Sequence, residues 1–138
     1  MPDLTITPAN VINTGKAPTK TGIAGEALTA GQTVYVKSAD GKIYKAQCDA
    51  TPEEADCAGI TLNGASLNQP VEYVDAGAID LGATTTTAKT TTYMVSATAG
   101  GICPQADLIA TQRIVQVGYA TNTTGSFVVR RVNTGVTV

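Results

Sequence analysis

The sequence predicts a small all-β single domain, a β-barrel or β-sandwich with one short helix and an extended N-terminal arm. Three observations point there. Short runs rich in Val, Ile, Tyr and Thr recur between Gly-, Asn- and Pro-containing turns. The 23 threonines of the 138 residues favour extended backbone. A helix signal is confined to one capped stretch near residue 51.

Residues 1–21 read as the arm. Pro2, Pro8 and Pro18 each remove a backbone donor and bias the preceding residue to extended geometry. Leu4 and Ile6 alternate with Thr, and Val11 and Ile12 follow. That segment is too short to bury its own face, so it is expected to be either disordered or paired to another sheet, and its apolar alternation favours pairing.

The body, 22–138, keeps a strand-and-turn rhythm. Residues 33–37 and 42–46 form a hairpin around Ser38-Ala39-Asp40-Gly41, with Val36 opposite Ile43 and Tyr35 opposite Tyr44. Thr51-Pro52-Glu53-Glu54 is a capping box with Pro at the first helical position, and Gly59 is expected to stop that helix. Further strands are predicted at 58–62, 71–74, 78–81, 92–97, 113–120 and 126–132, with Ala76-Gly77 and Gly100-Gly101 among the turns. In the last hairpin, Val115, Val117 and Tyr119 are expected on the face opposite Ile114. Phe127 and Val129 likewise oppose Val128 and Val132. Strands apolar on both faces need cover on both, so a subunit interface is expected here, carried by Ile114, Tyr119, Phe127, Val128, Arg130 and Val132.

Composition excludes several activities. Without histidine there is no Ser-His or Cys-His nucleophile pair and no imidazole metal ligand. A formal charge of −2 offers no basis for tight nucleic-acid binding, and Arg130 and Arg131 are expected on opposite faces, not as one phosphate clamp. No run approaches the length of a membrane span, and the N-terminus lacks a signal peptide's basic start and apolar middle. Asp49, Glu53, Glu54 and Asp56 crowd one stretch but lack calcium-loop spacing, and capping accounts for the Glu pair. Cys48, Cys57 and Cys103 are odd in number and read as reduced, buried apolar residues. The expectation is a chain with no catalytic centre, cofactor or metal. The low-complexity Ala83–Thr92 tract reads as an exposed extended segment. Gly25–Gln32 before a strand is similar to the half-repeat of lipoyl and biotinyl carrier domains, yet Asp40-Gly41-Lys42-Ile43 departs from their lysine-bearing tips.

The body resembles the capsid decoration, or cement, proteins of tailed bacteriophages. The likeness is carried by AGEALTAGQTVYV (24–36), ADGKIYKA (39–46), AGITLN (58–63), QPVEYVDAG (69–77), YMVSATAGGICP (93–104) and VGYATNTTGSFVV (117–129), in that order. The cysteines, the threonine tract and the Pro-punctuated arm depart from it. The resemblance implies a non-enzymatic virion protein, made in the bacterial cytoplasm, that binds the outside of the mature capsid. Its partners would be the major capsid protein and itself, as a homotrimer, with no nucleic acid and no membrane. The arm, through Leu4, Ile6, Val11 and Ile12, would add a strand to a capsid-protein sheet. Two other readings compete: a tail or head-fibre component contacting the host, and a carbohydrate-binding β module. The latter is weakened by the absence of Trp and the single Phe.

Overall fold

Among the described residues of a computed structural model, ten strands form two five-stranded antiparallel sheets, accompanied by one short α-helix. The structure describes residue 4 and residues 6–13, 17–81, 92–104, 107–120 and 126–137. The first sheet has the order β1 (Thr19–Ile23), β5 (Pro70–Val74), β4 (Gly59–Thr61), β2 (Thr33–Val36), β3 (Ile43–Lys45). The second has the order β6 (Ala76–Asp80), β10 (Ser126–Thr137), β9 (Arg113–Ala120), β7 (Thr92–Val95), β8 (Ile102–Pro104).

The first sheet curls until its edges meet. Ala24, just past β1, bridges Ile43 on β3, and the Gly25 amide donates to the Ile43 carbonyl at 2.8 Å. A small apolar cluster results, with Ala24, Leu28, Val34, Ile43, Val71 and Tyr73 at its centre. The larger cluster joins the sheets: Tyr35, Ile60 and Val74 pack with Ile79, Leu81, Tyr93, Val115, Val117, Phe127 and Val129. Strand 5 passes into β6 with only Asp75 between them. Asp75 holds Lys20 of β1 at 2.9 Å, and its carbonyl accepts from Arg131 Nε of β10 at 3.1 Å.

The hairpin forms in the predicted register, Val36 against Ile43 and Tyr35 against Tyr44, with the two tyrosine rings 5.9 Å apart. Helix α1 (Pro52–Ala55) carries the full capping box. The Glu54 amide donates to Thr51 Oγ1, and the Thr51 amide donates to Glu54 Oε2.

Several boundaries differ from the sequence-based expectation. The arm's boundary at residue 21 falls inside β1, because Lys20 and Thr21 pair with Tyr73 and Glu72. Gly59 does not end the helix, which stops at Ala55; Gly59 instead opens β4. Ala76-Gly77 is strand, since β6 starts as soon as the chain leaves β5 and pairs with β10 from Ala76 onward. Strand 10 runs to Thr137, past the expected end at Val132. Two register shifts against β9 let pairing resume beyond each interruption. Strands 1 and 8 were not expected at all. The tract at 83–91 lies outside the described residues.

Candidate functional site

The N-terminal segment does not project from the body; it straps the second sheet. The Leu4 amide donates to the Ile102 carbonyl of β8 at 2.8 Å. Pro8–Asn10 then form one 3-10 turn, consistent with proline setting φ at its first position. Ile12 and Asp80 of β6 exchange both backbone hydrogen bonds, at 2.9 and 2.7 Å. Because β8 and β6 are the outermost strands of that sheet, the strap reaches both of its edges. This corrects the expectation that the arm is left to pair with a foreign sheet. Its apolar residues find cover at home: Val11 is buried in the main core, and Leu4 and Ile6 pack against it. Of the four arm residues singled out, only Ile12 leaves its side chain exposed, at 55%.

Glycines shape the seat of the strap. At Gly31, with φ +85°, a Cβ would come within 2.6 Å of Ile6 Cγ2 and 3.1 Å of Val11 Cγ2. At Gly77, with φ +122°, a Cβ would lie 2.5 Å from the Ala17 Cβ. Asn13 clips the chain where it leaves the strap: its Nδ2 donates to the Ala17 carbonyl, and its Oδ1 accepts from the Ala17 amide. A groove of about 310 Å³ remains beside the strap, lined by Leu4 and Ile6 together with Gly31, Gly100 and Ile102.

The predicted interface residues separate into core and surface. Phe127 is fully buried, its ring 5.8 Å from Tyr93, so it belongs to the core and not to an outer face. Between Tyr93 and Met94 of β7, the partner register on β9 skips Val117, a bulge that shifts side-chain parity. Val115 and Val117 therefore point inward, while Tyr119 turns to the half-buried side instead of sharing their face. There it sits opposite Val128, which in turn faces Ala78 of β6. Ile114 is half-buried against the core, and Arg130 and Val132 are exposed. Arg131, in alternation with Phe127 and Val129, reaches the first sheet. Its Nη1 donates to the Cys57 carbonyl at 3.0 Å and its Nη2 lies 3.8 Å from Asp75 Oδ2. The outer surface thus comprises Tyr119, Val128, Arg130 and Val132.

The titratable groups serve structure. The Glu53 carboxylate accepts from Ser38, which holds its pKa down, and Glu54 completes the capping box. Tyr44 donates to Asp40 at 2.6 Å, lowering the carboxyl's pKa and raising its own. Burial, reinforced by Glu54, Glu53 and Glu26, pushes Tyr35 up to about 12. All three cysteines are buried thiols; burial pushes Cys57 up to about 11, so it is protonated at neutral pH. Among the described residues no group of three or more His, Cys, Asp or Glu is placed to hold a metal, and no helix is long and apolar enough to cross a membrane.

No protein-family model matches the chain, and no curated protein is found to be related to it.

Proposed function

We propose that the chain is a non-enzymatic structural protein of a phage virion, bound to the outside of the mature capsid, where it stabilises contacts between major capsid subunits as a homotrimer. The observation that carries this reading is the ordered succession of six segments, from Ala24 to Val129, that resemble capsid decoration proteins. The surface supports it too. Tyr119 and Val128 lie side by side across β9 and β10, and Val132 is exposed farther along β10. This surface, with Arg130 between Val128 and Val132 in the strand, has the mixture of apolar and Arg contacts that protein interfaces favour.

The capsid contact proposed here no longer rests on Leu4, Ile6 and Val11, which the body already covers. It rests on Ile12 and on the β10 surface. Quantitative mass spectrometry of purified virions tests the reading. A copy number comparable with that of the major capsid protein is the expected result. A tail-like number of a few copies would favour the host-contacting fibre reading, and absence from the particle would overturn both.

A further inference from the structure

Asn63 and Gly64 sit in the exposed connection between β4 and β5, and no other asparagine of the chain is followed by glycine. The Asn63 side chain is fixed at both its oxygen and its nitrogen. Its Oδ1 accepts from the Glu72 amide of β5 at 2.7 Å. Its Nδ2 donates to the Gly64 carbonyl at 2.9 Å and reaches the Pro70 carbonyl at 3.5 Å. The bond to Gly64 lays the side-chain amide alongside the residue that follows it in the chain. The Gly64 amide, by contrast, has no hydrogen-bond partner among the described residues. Gly64 also carries no Cβ to screen its nitrogen, and both residues are open to water.

We propose that this pair is a self-modifying turn: in the folded protein Asn63 loses its side-chain nitrogen and becomes aspartate or isoaspartate. The Gly64 nitrogen gives its proton to water or hydroxide and bonds to Asn63 Cγ. Negative charge develops on Oδ1 as it does so, where the Glu72 N–H already points. The Cγ–Nδ2 bond then breaks, the nitrogen takes up a proton and leaves as ammonia, and a cyclic imide remains. Water opens that ring. Attack at Cγ restores the normal peptide with an aspartate; attack at the backbone carbonyl carbon routes the chain through Cγ as isoaspartate. Nothing is oxidised or reduced, since the sum is water in and ammonia out. The donated hydrogen bonds go with the nitrogen, because a carboxylate has no N–H for the Gly64 and Pro70 carbonyls. The turn gains a negative charge and loosens. This inference stands independently of the virion reading.

Peptide mapping of the intact, folded protein after incubation at mildly alkaline pH tests it. Aspartate and isoaspartate are expected to accumulate at residue 63 ahead of every other asparagine. Gly64→Ala separates this route from direct hydrolysis of the side chain. The Gly64 backbone is not left-handed, and a Cβ there would meet only the Leu28 carbonyl, at 3.5 Å, so the variant should fold. It should slow the reaction by about tenfold or more. The deamidated fraction, separated by charge, should melt below the parent protein, and Asn63→Asp should reproduce that fall. If Asn63 stays intact in the folded protein while the urea-unfolded chain deamidates there, the proposal is overturned, because the hydrogen bonds then shield the amide instead of presenting it. Equal rates for Gly64→Ala and the parent overturn the route through the Gly64 nitrogen.

Discussion

Tyr93 is the residue whose chemistry fits its place least well. Its ring packs on Phe127 at zero exposure, yet among the described residues its hydroxyl has no hydrogen-bond partner. Burying that hydroxyl costs desolvation that nothing returns. Tyr93→Phe keeps the ring contact and should stabilise the protein by about 1 kcal/mol. Urea unfolding of the two proteins checks this. Gly31 carries the opposite expectation. Gly31→Ala forces a side chain into left-handed backbone and onto Ile6, so it should cost about 1–2 kcal/mol from the backbone alone. The same change should speed amide exchange at Leu4 and Ile12 as the strap lifts. Asp75 gives the pH dependence. Its hydrogen bond and ion pair with Lys20, with Arg131 nearby, hold its carboxyl below the usual range. A group whose pKa is lower folded than unfolded stabilises the fold above the unfolded value of about 3.9 and ceases to do so as pH falls through the folded value. Denaturant midpoints should therefore fall with acid below about pH 4, and Asp75→Asn should flatten that fall.

Among the elements, α1 shows how a four-residue helix survives in a β protein. It is far shorter than an isolated helix that could form by itself. Reciprocal capping by Thr51 and Glu54 satisfies its end, and Ala55 is fully buried against the main core. Thr51→Ala should cost about 0.5–2 kcal/mol, read from chemical denaturation, with no change in strand content. The β2–β3 hairpin and this helix were legible because their signals are local: turn residues, alternation and a capping pattern within a dozen positions. Strands 1 and 8 were not. Thr19–Ile23 carries a single large apolar residue, and Ile102–Pro104 is three residues long. Each is a strand because a partner, β5 or β7, offers it a ladder. The bulge at Val117 was equally hidden, since nothing local marks the residue that the neighbouring strand will skip.

At the scale of the molecule, the two sheets manage their edges differently. The first curls until β1 and β3 meet near Ala24 and Ile43; the second uses the N-terminal strap to cover β6 and β8. Both devices remove strand edges that would invite other chains. The distal part of β10 is blunted in another way: Asn133 and Thr134 side chains accept from the Gly135 and Val136 amides. Association through this region is therefore expected to be side chain against side chain, not strand addition. Val128→Lys on the outer face should leave the thermal midpoint within a few degrees of the parent and abolish self-association. Light scattering at micromolar concentration checks it, with the unaltered protein expected as a trimer.

The all-β class, the hairpin register, the helix cap and the apolar character of the last two strands are legible in the chain alone. Those follow from contacts a few residues apart, or from composition, and need no knowledge of the partner. Where each apolar side chain went was decided only in three dimensions. Phe127 is expected at an interface and lies in the core: its alternation with Val128 is as expected, but which of the two faces is covered by the rest of the molecule is set by tertiary packing. Leu4, Ile6 and Val11 were read as reaching for another protein and lie on this one. An extended apolar segment needs a seat, and residues as distant in the chain as Gly31, Asp80 and Ile102 build it only when both sheets have formed.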